Sequence, residues 1–125
     1  MKEEKSGPDF VTLMSVLPAC AHLGNVLIGK QIHGYVIRRR FLHQDISVVN
    51  ALISFYAKCG NIKEACHIFS LTSNKDLISW NTMLNALAEN QLHGEFINLL
   101  KGMFREGVEA DSITLLAVVR YFANI

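Results

Sequence analysis

The sequence predicts an all-α fold, a superhelical solenoid of antiparallel helix-turn-helix repeats. Self-similarity is the first observation: Asp9, Asp45, Asp76 and Asp111 each open a stretch of the same design, at separations of 36, 31 and 35 residues. A period in the thirties is typical of helical repeat arrays. The second observation is helical periodicity, because each stretch contains two runs whose apolar residues recur three and four positions apart. Half of the 125 residues are hydrophobic, which excludes a disordered chain.

Apolar runs and the breaks between them predict three hairpins and a seventh helix. Within the second hairpin, Val49, Leu52 and Tyr56 form a helical stripe, and Gly60 breaks the run before the next helix. Trp80 and Leu84 form the corresponding stripe of the third hairpin. The predicted helices cover residues 11–23 and 27–39, 47–59 and 62–71, and 78–90 and 94–105, and a seventh begins at residue 112.

The hairpins also agree column by column. An offset of 36 pairs Gly24 with Gly60 and places Gly29 over Ala65, so small residues recur where two helices approach closely. Phe96 occupies this column in the third unit. We therefore expect the third hairpin to splay or repack around its ring.

Composition and motifs exclude several classes of protein. No apolar run approaches the roughly 20 residues of a membrane helix, and the formal net charge of +1 identifies no ligand. The three cysteines contain no CxxC pair, and the five histidines lack zinc-ligand spacing, so neither a metal nor another cofactor is expected. Without a nucleophile–base arrangement or a phosphate loop, the sequence does not predict an enzyme.

Three segments carry a resemblance to a known family. The segment at residues 15–37, SVLPACAHLGNVLIGKQIHGYVI, the segment NALISFYAKCGNIKEACHIF at 50–69 and the phrase SWNTML at 79–84 resemble pentatricopeptide-repeat proteins of the plant PLS class. This class alternates long, short and standard repeats. The resemblance implies a leader or the end of a preceding unit at 1–9, a long repeat at 10–45, a short repeat at 46–76, a standard repeat at 77–111 and the first helix of a truncated repeat at 112–125.

The resemblance also implies a function. Such proteins form right-handed superhelices that bind single-stranded RNA in mitochondria or chloroplasts, often as the recognition part of editing or processing factors. In this family each repeat reads one base with two residues, which here are Asn50 with Asp76 and Asn81 with Asp111. Both pairs correspond to uridine, so the expected partner is an RNA with two adjacent uridines. The pair in the long repeat, Met14 with Asp45, matches no recognised combination.

Two supporting roles follow from the same resemblance. Base-clamping positions inside the first helices correspond to Val11, Ser47, Ile78 and Ile113. Lys58 corresponds to a phosphate-contacting position. Its equivalent in the third unit is Glu89, whose charge is expected to repel a phosphate.

Other readings of these residues stay open at the level of sequence. The aspartates lie where helix N-caps are expected, and Asn50 and Asn81 could be surface asparagines. A protein-binding scaffold of the tetratricopeptide kind keeps a 34-residue period, which the 31-residue unit disfavours. A truncated product without independent activity is a further alternative. Residues 1–7 lack the character of a transit peptide, so localisation rests on resemblance. Other editing factors are possible partners, whereas membranes and DNA are not expected.

Overall fold

Seven α-helices make up the part of the chain that the structure, a computed structural model, describes: residues 10–38 and 46–123. No strand occurs within these two ranges. The all-α prediction is confirmed, and the ends of the predicted helices agree with the structure to within one residue. The helices are α1 (Phe10–Leu23), α2 (Val26–Arg38), α3 (Ile46–Lys58), α4 (Ile62–Leu71), α5 (Leu77–Glu89), α6 (His93–Arg105) and α7 (Ser112–Ala123).

The turns inside the hairpins share one backbone device. The chain leaves α1 and α3 through Gly24 and Gly60, whose φ angles of 70° and 83° cost glycine less than any residue with a Cβ. Gln91 takes the same left-handed conformation, at φ 60°, in the turn between α5 and α6. Asn61 then caps α4, since its side chain accepts a hydrogen bond from the backbone N–H of Glu64 at 3.3 Å.

The helices pack in two layers. The first helices of the hairpins, α1, α3, α5 and α7, contact one another in sequence, while α2, α4 and α6 pack on their own hairpin partners. Neighbouring second helices approach each other much less closely than neighbouring first helices do. The array therefore curves with the first helices on its inner, concave side.

A continuous hydrophobic core lies between the two layers. Trp80 is buried and meets the ring of Phe69 edge-on, with centroids 5.1 Å apart, so it is a core residue rather than a stacking platform. Phe96 is accommodated by repacking. Its fully buried ring stacks on Tyr121 of α7, with 4.7 Å between the centroids and 7° between the planes.

The close approach expected at Gly29 is also present. The ring of Phe55 fills the space above this glycine so completely that an added Cβ would lie 1.8 Å from its Cζ. The packing therefore favours glycine here, because any other residue would displace the ring of Phe55.

One polar contact crosses the core between α2 and α3. The Nδ1 of His33 and the hydroxyl of Tyr56 lie 2.9 Å apart. Burial is the main cause that lowers the pKa of His33 and raises the pKa of Tyr56 to about 12. Both side chains are therefore neutral at pH 7.

The described residues also bear on three negative expectations. Cys20, Cys59 and Cys66 are free thiols. Among the side chains that the structure describes, no three metal-ligating residues come together. None of the described helices combines the length and the apolar character that a membrane span needs.

Candidate nucleic-acid interface

The first helices bring Asn50 of α3 to the junction with α5. Its Nδ2 donates to Oδ1 of Asp76 at 3.2 Å, and Ser79 Oγ lies 2.6 Å from its Oδ1. Asp76 caps α5: its Oδ1 accepts from the backbone N–H of Ser79 at 2.9 Å, and its own N–H donates to Ser79 Oγ at 3.3 Å. Asn50 is only 9% exposed, so it is not a surface asparagine.

The same arrangement recurs at the next junction, between α5 and α7. Asn81 Nδ2 donates to Oδ1 of Asp111 at 3.0 Å, and Thr114 Oγ1 lies 2.5 Å from the Asn81 Oδ1. The Asp111 Oδ1 accepts from the backbone N–H of Thr114 at 3.1 Å, and the Asp111 N–H donates to Thr114 Oγ1 at 3.2 Å. Asn81 is 4% exposed. Two junctions thus contain one repeated polar unit, which we call the junction triad: Asn50–Asp76–Ser79 and Asn81–Asp111–Thr114.

Each triad satisfies its buried polar atoms internally. The side-chain and backbone hydrogen bonds within the triads all reach the aspartates at Oδ1, including those from Ser79 Oγ at 2.8 Å and Thr114 Oγ1 at 3.0 Å, and none of them involves the second carboxylate oxygen, Oδ2. The capping interpretation of Asp76 is confirmed, and the same carboxylate holds the predicted base-reading asparagine. Capping and base reading are therefore compatible roles for one residue.

The hydrogen bonds keep both aspartates ionised. Burial alone would raise the pKa of Asp76, but the backbone and hydroxyl of Ser79 and the amide of Asn50 outweigh it and lower that pKa. The pKa of Asp111 is lowered chiefly by the backbone N–H of Thr114, assisted by the Asn81 amide. At neutral pH each triad therefore offers a carboxylate, which accepts hydrogen bonds and donates none.

Exposed isoleucines lie just before each triad hydroxyl. Ile78, in the first turn of α5, is 61% exposed, and Ile113, in the first turn of α7, is 49% exposed. Neither belongs to the hydrophobic core. Ser47, at the corresponding position of α3, is half-buried. The predicted clamp positions thus place two large, exposed apolar side chains next to the triad hydroxyls in sequence.

Comparison with known proteins assigns these repeats to a family. A sequence model of the PPR repeat matches residues 47–74 and 78–108. Pentatricopeptide repeat-containing proteins of Arabidopsis thaliana are similar over nearly the whole chain: one is 45% identical over 118 residues, which are 94% of this chain and 14% of that protein. A relative named as mitochondrial is 39% identical over 99% of this chain and 20% of its own length. A relative named as chloroplastic is 37% identical over 95% of this chain and 14% of its own.

The chain belongs to the pentatricopeptide repeat family. Proteins of this family are generally organellar RNA-binding factors without enzymatic activity. The two matched stretches lie on the α3–α4 and α5–α6 hairpins, which carry Asn50 and Asn81. The chain spans about a seventh to a quarter of the length of the relatives that it matches.

Charged side chains of the pentatricopeptide repeats lie further along the first helices. Lys58, the predicted phosphate contact, is exposed at the last residue of α3. Glu89 is not an isolated charge, because Arg120 Nη1 donates to its Oε2 at 3.0 Å and to Asn85 Oδ1 at 2.8 Å. The repulsion of a phosphate expected at Glu89 is therefore partly offset by the positive charge of Arg120. The sequence did not suggest this ion pair.

The first junction lies only partly within the described residues. Asp45 is outside them, and Val11 and Met14 belong to α1 although their side chains are not described. Val48 lies on α3 in register with Ser79 and Thr114, and it is buried. The first junction, between α1 and α3, therefore has Met14 in place of the asparagine and Val48 in place of the hydroxyl residue.

Sequence reasoning missed the two hydroxyl residues. Ser79 and Thr114 each follow a capping aspartate by three positions, which is the spacing of a capping box. That spacing was visible in the sequence. What the spacing could not show is that each hydroxyl also reaches an asparagine of the preceding repeat, 29 or 33 residues earlier.

Proposed function

We propose that this chain binds single-stranded RNA in the groove of its first helices and reads two adjacent uridines through the junction triads. The recurrence of one triad at two successive junctions, each with an exposed isoleucine beside it, carries the proposal. Core packing does not require buried asparagines bonded to half-buried carboxylates. Recognition of one small planar group per repeat accounts for such a repeated polar site, and this is how repeat proteins read RNA.

Uracil suits the chemistry of the triads. Its imide N3–H donates to a carboxylate, and its carbonyl oxygens accept from an amide, whereas cytosine has an unprotonated N3 and no imide proton. The Oδ2 atoms of Asp76 and Asp111 take no part in the triads and are the acceptors that such an N–H would reach. Both carboxylates are ionised at neutral pH, so they discriminate against a base with a lone pair at that place.

The surrounding side chains supply affinity without sequence information. Ile78 and Ile113 would clamp the second uridine between them, while the first would lie between Ser47 and Ile78 with less apolar contact. Lys58 would contact a phosphate. In this proposal the superhelix is right-handed and the RNA runs parallel to the chain, as an unspecified base followed by two uridines from 5′ to 3′.

The cellular role follows from the family. We infer that the segment belongs to the recognition part of a mitochondrial or chloroplast factor for RNA editing or processing, with other editing factors as possible partners. Two readable bases do not define a unique target, so further repeats would be needed for selectivity in an organelle.

Equilibrium binding tests this function. Fluorescence anisotropy at one low salt concentration would compare the 125-residue chain on short single-stranded RNAs that carry UU, UC, CU or CC at two adjacent positions and are otherwise identical. We expect a preference for UU, and Asn50→Ala and Asn81→Ala should each relax one position. Asn98→Ala, an exposed asparagine of α6 in the outer layer, is the control and should change nothing.

The proposed contact between Lys58 and an RNA phosphate can be tested through the salt dependence of binding. Lys58→Gln should weaken binding to all four RNAs by the same factor and reduce the slope of log K against log salt by about 0.7, as for one phosphate contact on a single strand. Equal binding of all four RNAs by the unmodified chain, unchanged in the asparagine variants, would refute base reading. It would favour a protein-binding scaffold instead.

A further inference from the structure

We propose that the hydroxyls of Ser79 and Thr114 are positioning groups that hold the base-reading asparagines in a single amide orientation and so set the preference for uracil. The inference rests on the proposed function and goes beyond it, since it adds a residue from the following repeat to each reading pair. Both hydroxyls are buried, 0% and 1% exposed, and so act through the asparagines rather than on RNA.

The distances in the first triad favour one orientation of the Asn50 amide. The carboxylate of Asp76 is ionised, so the amide group 3.2 Å from its Oδ1 must be the NH₂ of Asn50. The carbonyl Oδ1 of Asn50 then faces Ser79 Oγ at 2.6 Å. Two oxygens at this distance need a proton between them, and the hydroxyl of Ser79 supplies it; Asp76 Oδ1, 2.8 Å from the same Oγ, is the competing acceptor at the longer distance. Ser79 Oγ in turn accepts from the Asp76 N–H, which closes a ring of three hydrogen bonds.

The second triad closes the same ring with a different residue. Thr114 Oγ1 donates to Asn81 Oδ1 at 2.5 Å, Asn81 Nδ2 donates to Asp111 Oδ1 at 3.0 Å, and the Asp111 N–H donates to Thr114 Oγ1 at 3.2 Å. Turning the amide over would set its oxygen against the carboxylate and its NH₂ against the hydroxyl. The ring therefore selects one orientation, and two junctions with different hydroxyl residues select the same one.

This orientation decides what a base meets. One amide hydrogen and one carbonyl lone pair of the asparagine are used inside the ring, which leaves the other amide hydrogen and the aspartate Oδ2 as the donor and acceptor outside it. The triad thus presents a donor next to an acceptor, which complements a uracil carbonyl next to the N3–H. Without the hydroxyl, the buried Oδ1 of the asparagine has no donor from α5 or α7, and only one hydrogen bond of the ring still orients the amide.

Substitution at both junctions tests the proposal with the whole chain and the four RNAs. Ser79→Ala should lower the U over C ratio about fivefold at the base read by Asn50 and Asp76, an effect equivalent to one neutral hydrogen bond. It should leave the other base unchanged. Thr114→Val, which keeps the shape of threonine, should do the reverse. Ser79→Thr and Thr114→Ser keep the hydroxyl and should retain both preferences.

A helix-cap control separates positioning from stability. Asn61→Ala removes the cap of α4 outside the groove, so it should lower the melting temperature by circular dichroism without changing base preference. Should Ser79→Ala not fold, Thr114→Val alone decides. Hydroxyl-free variants that keep the uracil preference, while Asn50→Ala and Asn81→Ala lose it, would overturn the positioning role only. Absence of preference in the unmodified chain would overturn this inference together with the proposed function.

Discussion

Replacing Asp76 by asparagine should reverse the base preference of one triad while the protein stays folded. The carboxylate Oδ1 accepts from the Ser79 N–H at 2.9 Å and the Asn50 amide at 3.2 Å, so the new side chain must keep its oxygen there. Its NH₂ then takes the place of Oδ2. An acceptor facing the base becomes a donor, which suits the lone pair on cytosine N3 and opposes the N3–H of uracil. Asparagine caps helices about as well as aspartate, so α5 retains its start.

The size of the reversal follows from the bonds exchanged. Loss of a hydrogen bond to a charged acceptor costs the uracil complex about 1.5 kcal/mol, the low end for such bonds because Asp76 is only half-buried. A neutral hydrogen bond gained by cytosine contributes about 1 kcal/mol. Together, about 2.5 kcal/mol corresponds to a change of about 60-fold in the U over C ratio.

Anisotropy competition among the UU, UC, CU and CC RNAs measures this ratio for each position separately. Asp111→Asn is the matched control and should reverse the other position alone. The reasoning fails if Asp76→Asn weakens uracil and cytosine equally, or if it alters the base assigned to Asn81. Either result would mean that Oδ2 does not face a base.

Three further outcomes are expected. Glu89→Gln frees Arg120 from its ion pair and should tighten binding to all four RNAs alike with a steeper salt dependence, whereas an unchanged salt slope would place Arg120 away from the RNA. Because burial lowers the pKa of His33, the folded protein binds fewer protons than the unfolded chain near pH 6. The contribution of neutral His33 to stability is therefore complete above the ordinary histidine pKa of 6.5 and declines below it. His33→Gln should make the melting temperature depend less on pH between pH 7.5 and 5.5. Gly29→Ala drives a Cβ into the ring of Phe55 and should cost about 1–3 kcal/mol in urea unfolding despite its better helix propensity, a loss that Phe55→Leu should partly restore.

The repeat architecture could be predicted because it depends on interactions between residues that are close in sequence. Helical periodicity, turn glycines such as Gly60 and capping aspartates such as Asp76 act within a few residues of themselves. Helix ends therefore agreed to within one residue. The column of small residues also predicted close packing at Gly29, and the misfit of Phe96 in that column predicted repacking.

The candidate site was only partly predictable because its contacts join distant residues. The family resemblance implied the pair Asn50 with Asp76, but the reach of Ser79 back to Asn50 depends on how α5 packs against α3. The ion pair between Arg120 and Glu89 likewise spans 31 residues and two helices. No spacing rule encodes such contacts, since they arise only when neighbouring hairpins stack. The base assignments themselves stay predictions.

The junction triads also bear on where such an array can be divided. Each contains an asparagine from one repeat, an aspartate at the boundary and a hydroxyl three residues into the next helix. A chimera joined directly after Asp76 would inherit Asn50 and its aspartate yet take its third member from a foreign sequence. Transplanted recognition modules of this protein should therefore extend through Ser79 or Thr114. The unit that can be exchanged in the solenoid is thus bounded by complete junction triads and not by the ends of the hairpins.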